Sequence, residues 1–548
     1  MAQNKPIGEL LREAGIVTEQ MIAYALKIQK VSRERVGEVL LRLRFATDSE
    51  VARTVAKQHR LPFEALEARI PQPQALAQLP FAVAQKLGVL PLELADGHLL
   101  AATDNPGNPE LAERVARFCS YPLRLLVAPT SRLQRLIQRA YYLVDHPLEE
   151  EVDRIVTAIM AGREYSSERL FELLLSTAID LRSSDMHISP TPNATLVSYR
   201  VDGVLQLRYA LPAAAHVRII STCKVRAGLD IADTLRPQDG RMRFAFLDGK
   251  FDLRISTMPA ALGENLVVRF LSGGGELISL TDAGFNATQQ EQLRLMTEHP
   301  HGTILVTGPT GSGKTTTLYA MMRRINTMEK NVLTIEDPVE YEMPLVRQVE
   351  MNEKAGTTFA SAIRGFLRQD PDVMLVGEIR DQETAALAMR AAQTGHLVFS
   401  SLHTNDALSA VVRLRDLGVE DYILSSSLIG LVGQRLLRRL CPHCKQPAAA
   451  PSAATGDEAE QWEGLPLSSL YRHVGCPYCR DTGYSGRQAV GEVLLVDEAL
   501  RQMIDRGASG IEIERALRGQ YHSMHAAGVK LVADGVTDIA EFKRVLAS

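Results

Sequence analysis

The first sixty residues carry one pattern of apolar and polar positions twice. Ile7-Gly8-Glu9-Leu10-Leu11 and Thr18-Glu19 return twenty-nine residues later as Val36-Gly37-Glu38-Val39-Leu40 and Thr47-Asp48. Gln29 and Gln58 close the two units at the same offset. Thr18 and Thr47 suit helix N-caps, each followed by an acid in the first turn and then by helically spaced apolar residues such as Ile22 and Leu26. Each unit therefore predicts a short helix, a turn and a longer helix. Two copies make a small helical module (1–62), too few for a solenoid.

Beyond it, short apolar runs at 88–92, 98–102 and 123–127 alternate with helical patterns, which predicts a small α/β domain over 63–145. An acidic stretch near 146–153 marks a linker. Strand-like segments at 195–200, 204–209 and 252–257, flanked by helical stretches, predict an α+β domain over 150–272. Ser272-Gly273-Gly274-Gly275 is a flexible joint by composition. From 276 to 548 strand and helix patterns alternate, as a parallel sheet in an α/β core requires.

Within that core the apolar run Ile304-Leu305-Val306-Thr307 leads into Gly308-Pro309-Thr310-Gly311-Ser312-Gly313-Lys314-Thr315 and then into a helical segment. Strand, glycine-rich loop and helix in that order form the context a P-loop needs. The glycines let backbone N–H groups converge on phosphate, and the helix N-terminus favours its charge. Lys314 is expected on the β- and γ-phosphates of ATP, and the Thr315 hydroxyl on Mg²⁺. A chance match is the alternative, made remote by the correct flanks.

Two later strands end in acids, one in Glu336-Asp337-Pro338 and one in Glu378. Carboxyl ends of strands line the ligand crevice of an open α/β sheet, so one acid is expected to activate water and the other to support Mg²⁺. His396 precedes and His403 follows a further apolar run, which makes both candidates for sensing the γ-phosphate.

Composition adds limits. At 548 residues, with 45% apolar and 23% charged positions, the chain exceeds a single core and suits a multidomain globular protein. A net charge of −4 and the lack of a basic–aromatic stripe count against a nucleic-acid translocase. No apolar run reaches membrane-spanning length, and residues 1–13 lack the core of a secretory signal, so a cytoplasmic location is expected. Four of the six cysteines form Cys441-Pro-His-Cys444 and Cys476-Pro-Tyr-Cys479, thirty-one residues apart. Two such knuckles can supply four thiolates to a structural Zn²⁺; free thiols or a redox dithiol are the alternatives.

The P-loop, together with Ser184-Asp-Met-His-Ile-Ser-Pro190, Arg200-Val-Asp-Gly203, Arg236-Pro-Gln-Asp-Gly-Arg241, Thr334-Ile-Glu-Asp-Pro-Val-Glu340, Gly377-Glu-Ile-Arg-Asp381 and Leu402-His-Thr-Asn-Asp406, resembles the assembly ATPases of bacterial type II secretion and type IV pilus systems, the GspE/PilB family. The resemblance implies a RecA-like P-loop core, preceded by an α+β (PAS-like) domain, a small α/β domain and the helical repeat. It also implies a zinc-ribbon-like insert (437–487) and a C-terminal helical region (490–548). It implies Glu336 as the water-activating residue, Glu378 as the Walker B glutamate and His396 and His403 as a histidine box. In a homo-hexamer, Arg254 and Arg269 would reach a neighbour's nucleotide, with Arg364 and Arg368 as further arginines of the core. The implied function is ATP hydrolysis that drives pilin or pseudopilin assembly through an inner-membrane platform protein, with no nucleic acid involved. The tetracysteine module and Gly483-Tyr-Ser-Gly-Arg487 resemble the secretion and pilus-extension branch. The helical repeat resembles tandem modules that bind cyclic di-GMP, but Pro6-Ile-Gly8 stands where the first unit would need Arg-Leu-Gly, whereas the second has Arg35-Val-Gly37. Docking to the platform protein is the alternative for this module.

Overall fold

The computed structural model describes residues 5–67, 69–271, 277–325, 327–448, 470–517 and 521–546. The joint expected at 272–275 and most of the Ala- and Pro-rich loop between the cysteine pairs lie outside them. The chain forms two units, one of Met1–Gln58 with Glu276–Ser548 and one of His59–Gly275.

The repeat folds as its pattern predicts, into helices Ile7–Glu13, Glu19–Ser32, Val36–Arg42 and Asp48–His59. Thr18 Oγ1 accepts from Met21 N–H at 3.3 Å. Thr47 Oγ1 accepts from Glu50 N–H at 3.2 Å while the Glu50 carboxylate accepts from Thr47 N–H at 2.8 Å, a reciprocal cap. The closing glutamines have matching tasks: Gln29 donates to Glu34 O (3.0 Å), ahead of the second unit, and Gln58 to Lys5 O (3.1 Å), ahead of the first. Leu11, Val17, Met21, Ala25, Val39 and Leu40 fill the centre.

This module sits on the α/β core. Arg323, at the carboxyl end of helix Lys314–Met322, pairs with Glu50 at 2.6 Å with both side chains mostly buried, and Arg53 pairs with Asp282 at 2.6 Å. Leu345 of the core packs against the module's apolar cluster.

The core is a seven-stranded sheet in the order Arg347–Glu350, Val332–Glu336, Val373–Val376, Leu397–Leu402, Gly302–Thr307, Leu428–Leu440, Tyr484–Leu495. The first six are mutually parallel and the last is antiparallel to its neighbour. Strands 302–307, 332–336, 373–376 and 397–402 are buried along their whole length, because helices cover both faces and leave no polar side to alternate. The parallel register puts the carboxyl ends of these strands along one edge, where the P-loop begins. The cysteine knuckles lie at the tip of the long antiparallel pair, Cys441 directly after Leu440 and Cys479 just before Tyr484.

In the other unit, strands Val89–Ala95, His98–Thr103 and Leu123–Val127 form a three-stranded sheet, with helices Phe81–Leu87 and Thr130–Asp145 packed against the first strand. A second, wholly antiparallel sheet of six strands follows, in the order Val204–Pro212, Ala194–Val201, Asp185–Pro190, Gly263–Leu271, Gly249–Ala260, Gln238–Phe246. Helices Leu148–Met160, Ser167–Asp180 and His216–Ala227 share its core.

Candidate functional site

The glycine-rich loop leaves strand Gly302–Thr307 and enters helix Lys314–Met322 directly. Gly308 has φ +151°, and a Cβ there would lie 2.4 Å from Ser312 Oγ and 2.5 Å from Gln434 O, so only glycine allows the turn. Gly313, at φ +89°, caps the helix. Lys314 folds over the loop and donates to Gly308 O at 2.8 Å and Pro309 O at 3.2 Å. Burial pushes its ammonium down to about 8; the Glu378 carboxylate opposes that shift and the Arg435 guanidinium adds to it. Thr315 follows in the first helical turn and is exposed.

Glu378 lies two residues past strand Val373–Val376. Its carboxylate pairs with Arg380 and stands 3.4 Å from His403 Nε2, at the end of the neighbouring strand. Arg380 also lies 3.8 Å from Asp337. Lys314, Glu378 and His403 thus converge at the carboxyl edge of the sheet.

Four predicted residues stand apart from that convergence within this subunit. Glu336 ends its strand but turns inward, accepting from Tyr319 Oη, from Thr334 Oγ1 at 2.6 Å and from Gln348 Nε2 at 3.2 Å, at 3% exposure. Its carboxylate braces the P-loop helix, which carries Tyr319. His396 sits at the opposite end of the sheet: its carbonyl accepts from Gly302 N–H, at the start of the P-loop strand, and its Nδ1 is 2.8 Å from Ala391 O. One strand length, about 20 Å at ~3.3 Å per residue, divides it from His403. Arg364 pairs with Glu383, and Arg368 donates to Arg364 O at 2.7 Å; both are exposed around the end of helix Phe359–Phe366.

In the other unit, Arg254 and Arg269 are direct cross-strand neighbours, and Asp185 pairs with Arg269 on its other side. Asp185 accepts from Arg269 Nε at 2.9 Å and lies 3.8 Å from Arg200. Burial raises the Asp185 carboxyl, yet the Arg269 and Ser184 hydrogen bonds hold it below its ordinary value. Among the described residues Arg254 Nε is buried with no hydrogen-bond partner.

Sequence reasoning missed the strand that flanks the loop. Gln434 is 1% exposed and donates to Ser312 O at 2.7 Å, stitching strand Leu428–Leu440 to the P-loop. Arg435 donates to Asn405 at 3.2 Å. Buried Glu492 accepts from Ala407 N–H at 2.7 Å and from Met524 N–H at 3.0 Å, anchoring the segment after His403; burial raises its pKa. These residues lie some 120 to 180 positions from the P-loop, and no local pattern marks them.

The four knuckle cysteines bring their sulfurs within 4.8 Å of one another. Sγ–Sγ separations are 3.8 Å for Cys441–Cys476 and 3.7 Å for both Cys444–Cys479 and Cys476–Cys479. Thiolates around one Zn²⁺ at about 2.3 Å stand about 3.8 Å apart, so the donor set fits a tetrahedral ion. Cys479 Sγ also accepts from Gly483 N–H at 3.1 Å and Cys476 N–H at 3.2 Å.

A family model described as Type II/IV secretion system protein matches residues 162–544, and one described as MshEN domain matches 59–146. The second match falls on the small α/β region and not on the helical repeat. The type IV pilus assembly ATPase PilB of Myxococcus xanthus is 35% identical over 98% of this chain and 98% of its own length. The type II secretion system protein E of Aeromonas hydrophila is 38% identical over 86% of this chain and 97% of its own length. The solved ATPase DotB of Legionella pneumophila aligns with a TM-score of 0.51 over 69% of this chain and 95% of its own, at 19% identity, a likeness of fold. With a P-loop core of the secretion-ATPase type and a match along nearly its whole length, the chain belongs to the Type II/IV secretion system protein family, a family of ATPases.

Proposed function

We propose that the chain is the motor of a type II secretion or type IV pilus machine, in which hydrolysis of Mg²⁺-bound ATP drives assembly of a pilin or pseudopilin fibre. The observation that carries this reading is the convergence of Lys314, Glu378 and His403 at the mouth of the P-loop. Lys314 binds the β- and γ-phosphates, Thr315 ligates Mg²⁺, Glu378 supports the metal and the attacking water, and His403 reports the γ-phosphate to the strand behind it. Glu336 reaches water only if Tyr319 and Gln348 release it; in its hydrogen-bonded state it positions the helix. The motor works as a homo-hexamer on an inner-membrane platform protein, at the cytoplasmic face. Among the described residues no helix is long and apolar enough to cross a membrane.

Arg254 and Arg269 complete a neighbour's site, with Arg364, Arg368 and His396 as residues of the subunit boundary. The side-by-side placement of Arg254 and Arg269 supports a shared role, and an arginine supplied in trans contributes on the order of 10³–10⁵ in rate. Zn²⁺ closes the tetracysteine knuckle and fixes the tip of the strand pair. We read the domains as 1–62, 63–145, 150–272 and 276–548.

Mixing two inactive variants tests the arrangement. Lys314→Ala keeps its arginines, and Arg254→Ala/Arg269→Ala keeps its P-loop. Mixed before assembly, they should regain a fraction of wild-type turnover. Zero turnover in verified mixed oligomers refutes the trans assignment.

Regulation by cyclic di-GMP through the helical repeat is a second reading. It is favoured by the equivalent bonds of Gln29 and Gln58, each made to the backbone just ahead of one repeat unit. Absence of cyclic di-GMP binding in equilibrium dialysis removes it.

A further inference from the structure

We propose that Arg435 is a second phosphate ligand of the nucleotide site, supplied by the same subunit and directed at the terminal phosphate of ATP. This rests on the reading of the P-loop as the ATP site and adds a residue to it.

The placement follows from strand register. Thr307, the last residue before the loop, pairs with Gly433, so Gln434 and Arg435 run on beside the loop itself. Gln434 is fixed there twice, by its bond to Ser312 O and by the close approach of its carbonyl to Gly308. Arg435 is thereby held at a set distance from the P-loop by backbone, not by a flexible loop. On its far side, Nη2 donates to Asn405, two residues past His403. The guanidinium thus bridges the P-loop and the segment that carries the γ-phosphate candidate.

Its charge lacks a partner. Among the described residues its hydrogen bond is to a neutral amide, Nη1 is buried with no partner, and Asp406 and Glu492 act on it only from a distance. It is close enough to Lys314 to make that ammonium harder to protonate. Among the described residues neither Lys314 nor Arg435 is ion-paired with a carboxylate: Glu378 acts on the lysine, and Asp406 and Glu492 on the arginine, without a direct bond. A guanidinium presents a planar fork suited to phosphate oxygens, so a polyphosphate supplies the missing charge. Because Asn405 aims it toward the His403 side, the terminal phosphate is its target.

The test is titration of the full-length protein with fluorescent N-methylanthraniloyl-ATP and N-methylanthraniloyl-ADP, both with Mg²⁺. Arg435→Gln should weaken ATP at least tenfold and ADP less than threefold, with melting temperature held. Arg435→Lys should recover part of the loss. Asn405→Ala, an exposed change that releases the guanidinium, should give a smaller loss of the same ATP-selective kind. ATP affinity within twofold of wild type in Arg435→Gln, or equal weakening of ATP and ADP, overturns the assignment. If Arg435→Gln does not fold, Asn405→Ala and Arg435→Lys decide: wild-type affinities in both overturn it. Lys314→Ala separates the two levels of the argument. If it loses both nucleotides while Arg435→Gln loses neither, only the Arg435 inference fails. If Lys314→Ala itself binds normally, the P-loop reading fails.

Discussion

The buried ammonium of Lys314 makes nucleotide affinity depend on pH. In the free protein its pKa is pushed down to about 8, below the ordinary lysine value of 10.5, because burial disfavours its charge and Arg435 repels it. Between these values the unfolded chain binds more protons than the folded one, so the free protein gains stability as pH rises through that window. Phosphates against the ammonium reverse the preference and draw a proton in. With a pKa near 8, roughly 0.9 of the lysines carry the proton at pH 7 and roughly 0.1 at pH 9, so ATP affinity should fall about tenfold across that range. Binding at pH 8.5 should take up roughly 0.8 proton per nucleotide. Isothermal titration calorimetry in buffers of different ionisation enthalpy measures this uptake directly, and with saturating Mg²⁺ the Mg²⁺-bound ATP does not titrate in that window. A Kd unchanged from pH 7 to pH 9, with no buffer dependence of the heat, would refute the reasoning.

Gly308→Ala forces a Cβ against Ser312 Oγ and Gln434 O and should abolish nucleotide binding, read by fluorescence titration, in a protein that still folds; wild-type affinity would mean the loop has another conformation. Glu50→Ala removes the Arg323 ion pair and the cap of helix Asp48–His59, which should cost about 1–3 kcal/mol of stability. It should also raise amide exchange in helix Lys314–Met322, and unchanged exchange there would show that the repeat does not brace the P-loop helix. Elemental analysis should find one zinc per chain, lost in Cys441→Ser; a folded wild-type protein without metal and with four reactive knuckle thiols would contradict the tetrahedral site.

Much of this could be read from local pattern. The twenty-nine-residue repeat gave four helices with working Thr caps, and the apolar runs at 88–92, 98–102 and 123–127 each fall on a strand of the small sheet. The P-loop needed only its flanks. What escaped depended on contacts distant in sequence. Arg435 belongs to a run that reads as an ordinary strand, and only the pairing of Gly433 with Thr307 brings it to the loop. The acid at a strand end was expected to face ligand, but Glu336 lies beneath the P-loop helix, where Tyr319 supplies a donor that no strand pattern announces. His396 and His403 bracket a six-residue strand, and a strand holds its ends apart, so both cannot reach one phosphate in the same subunit. The packing of the repeat on the core rests on Glu50–Arg323 and Arg53–Asp282, pairs more than two hundred positions apart.

The central claim is a hydrolytic P-loop site that a neighbouring subunit completes. Its most direct test is Mg²⁺-dependent phosphate release per subunit, measured across the concentration range in which the protein passes from monomer to ring. Wild-type turnover should rise steeply with assembly, and Lys314→Ala and Glu378→Gln should stay at background at every concentration. Turnover per subunit that is flat across the range, or retained in either variant, would contradict the account.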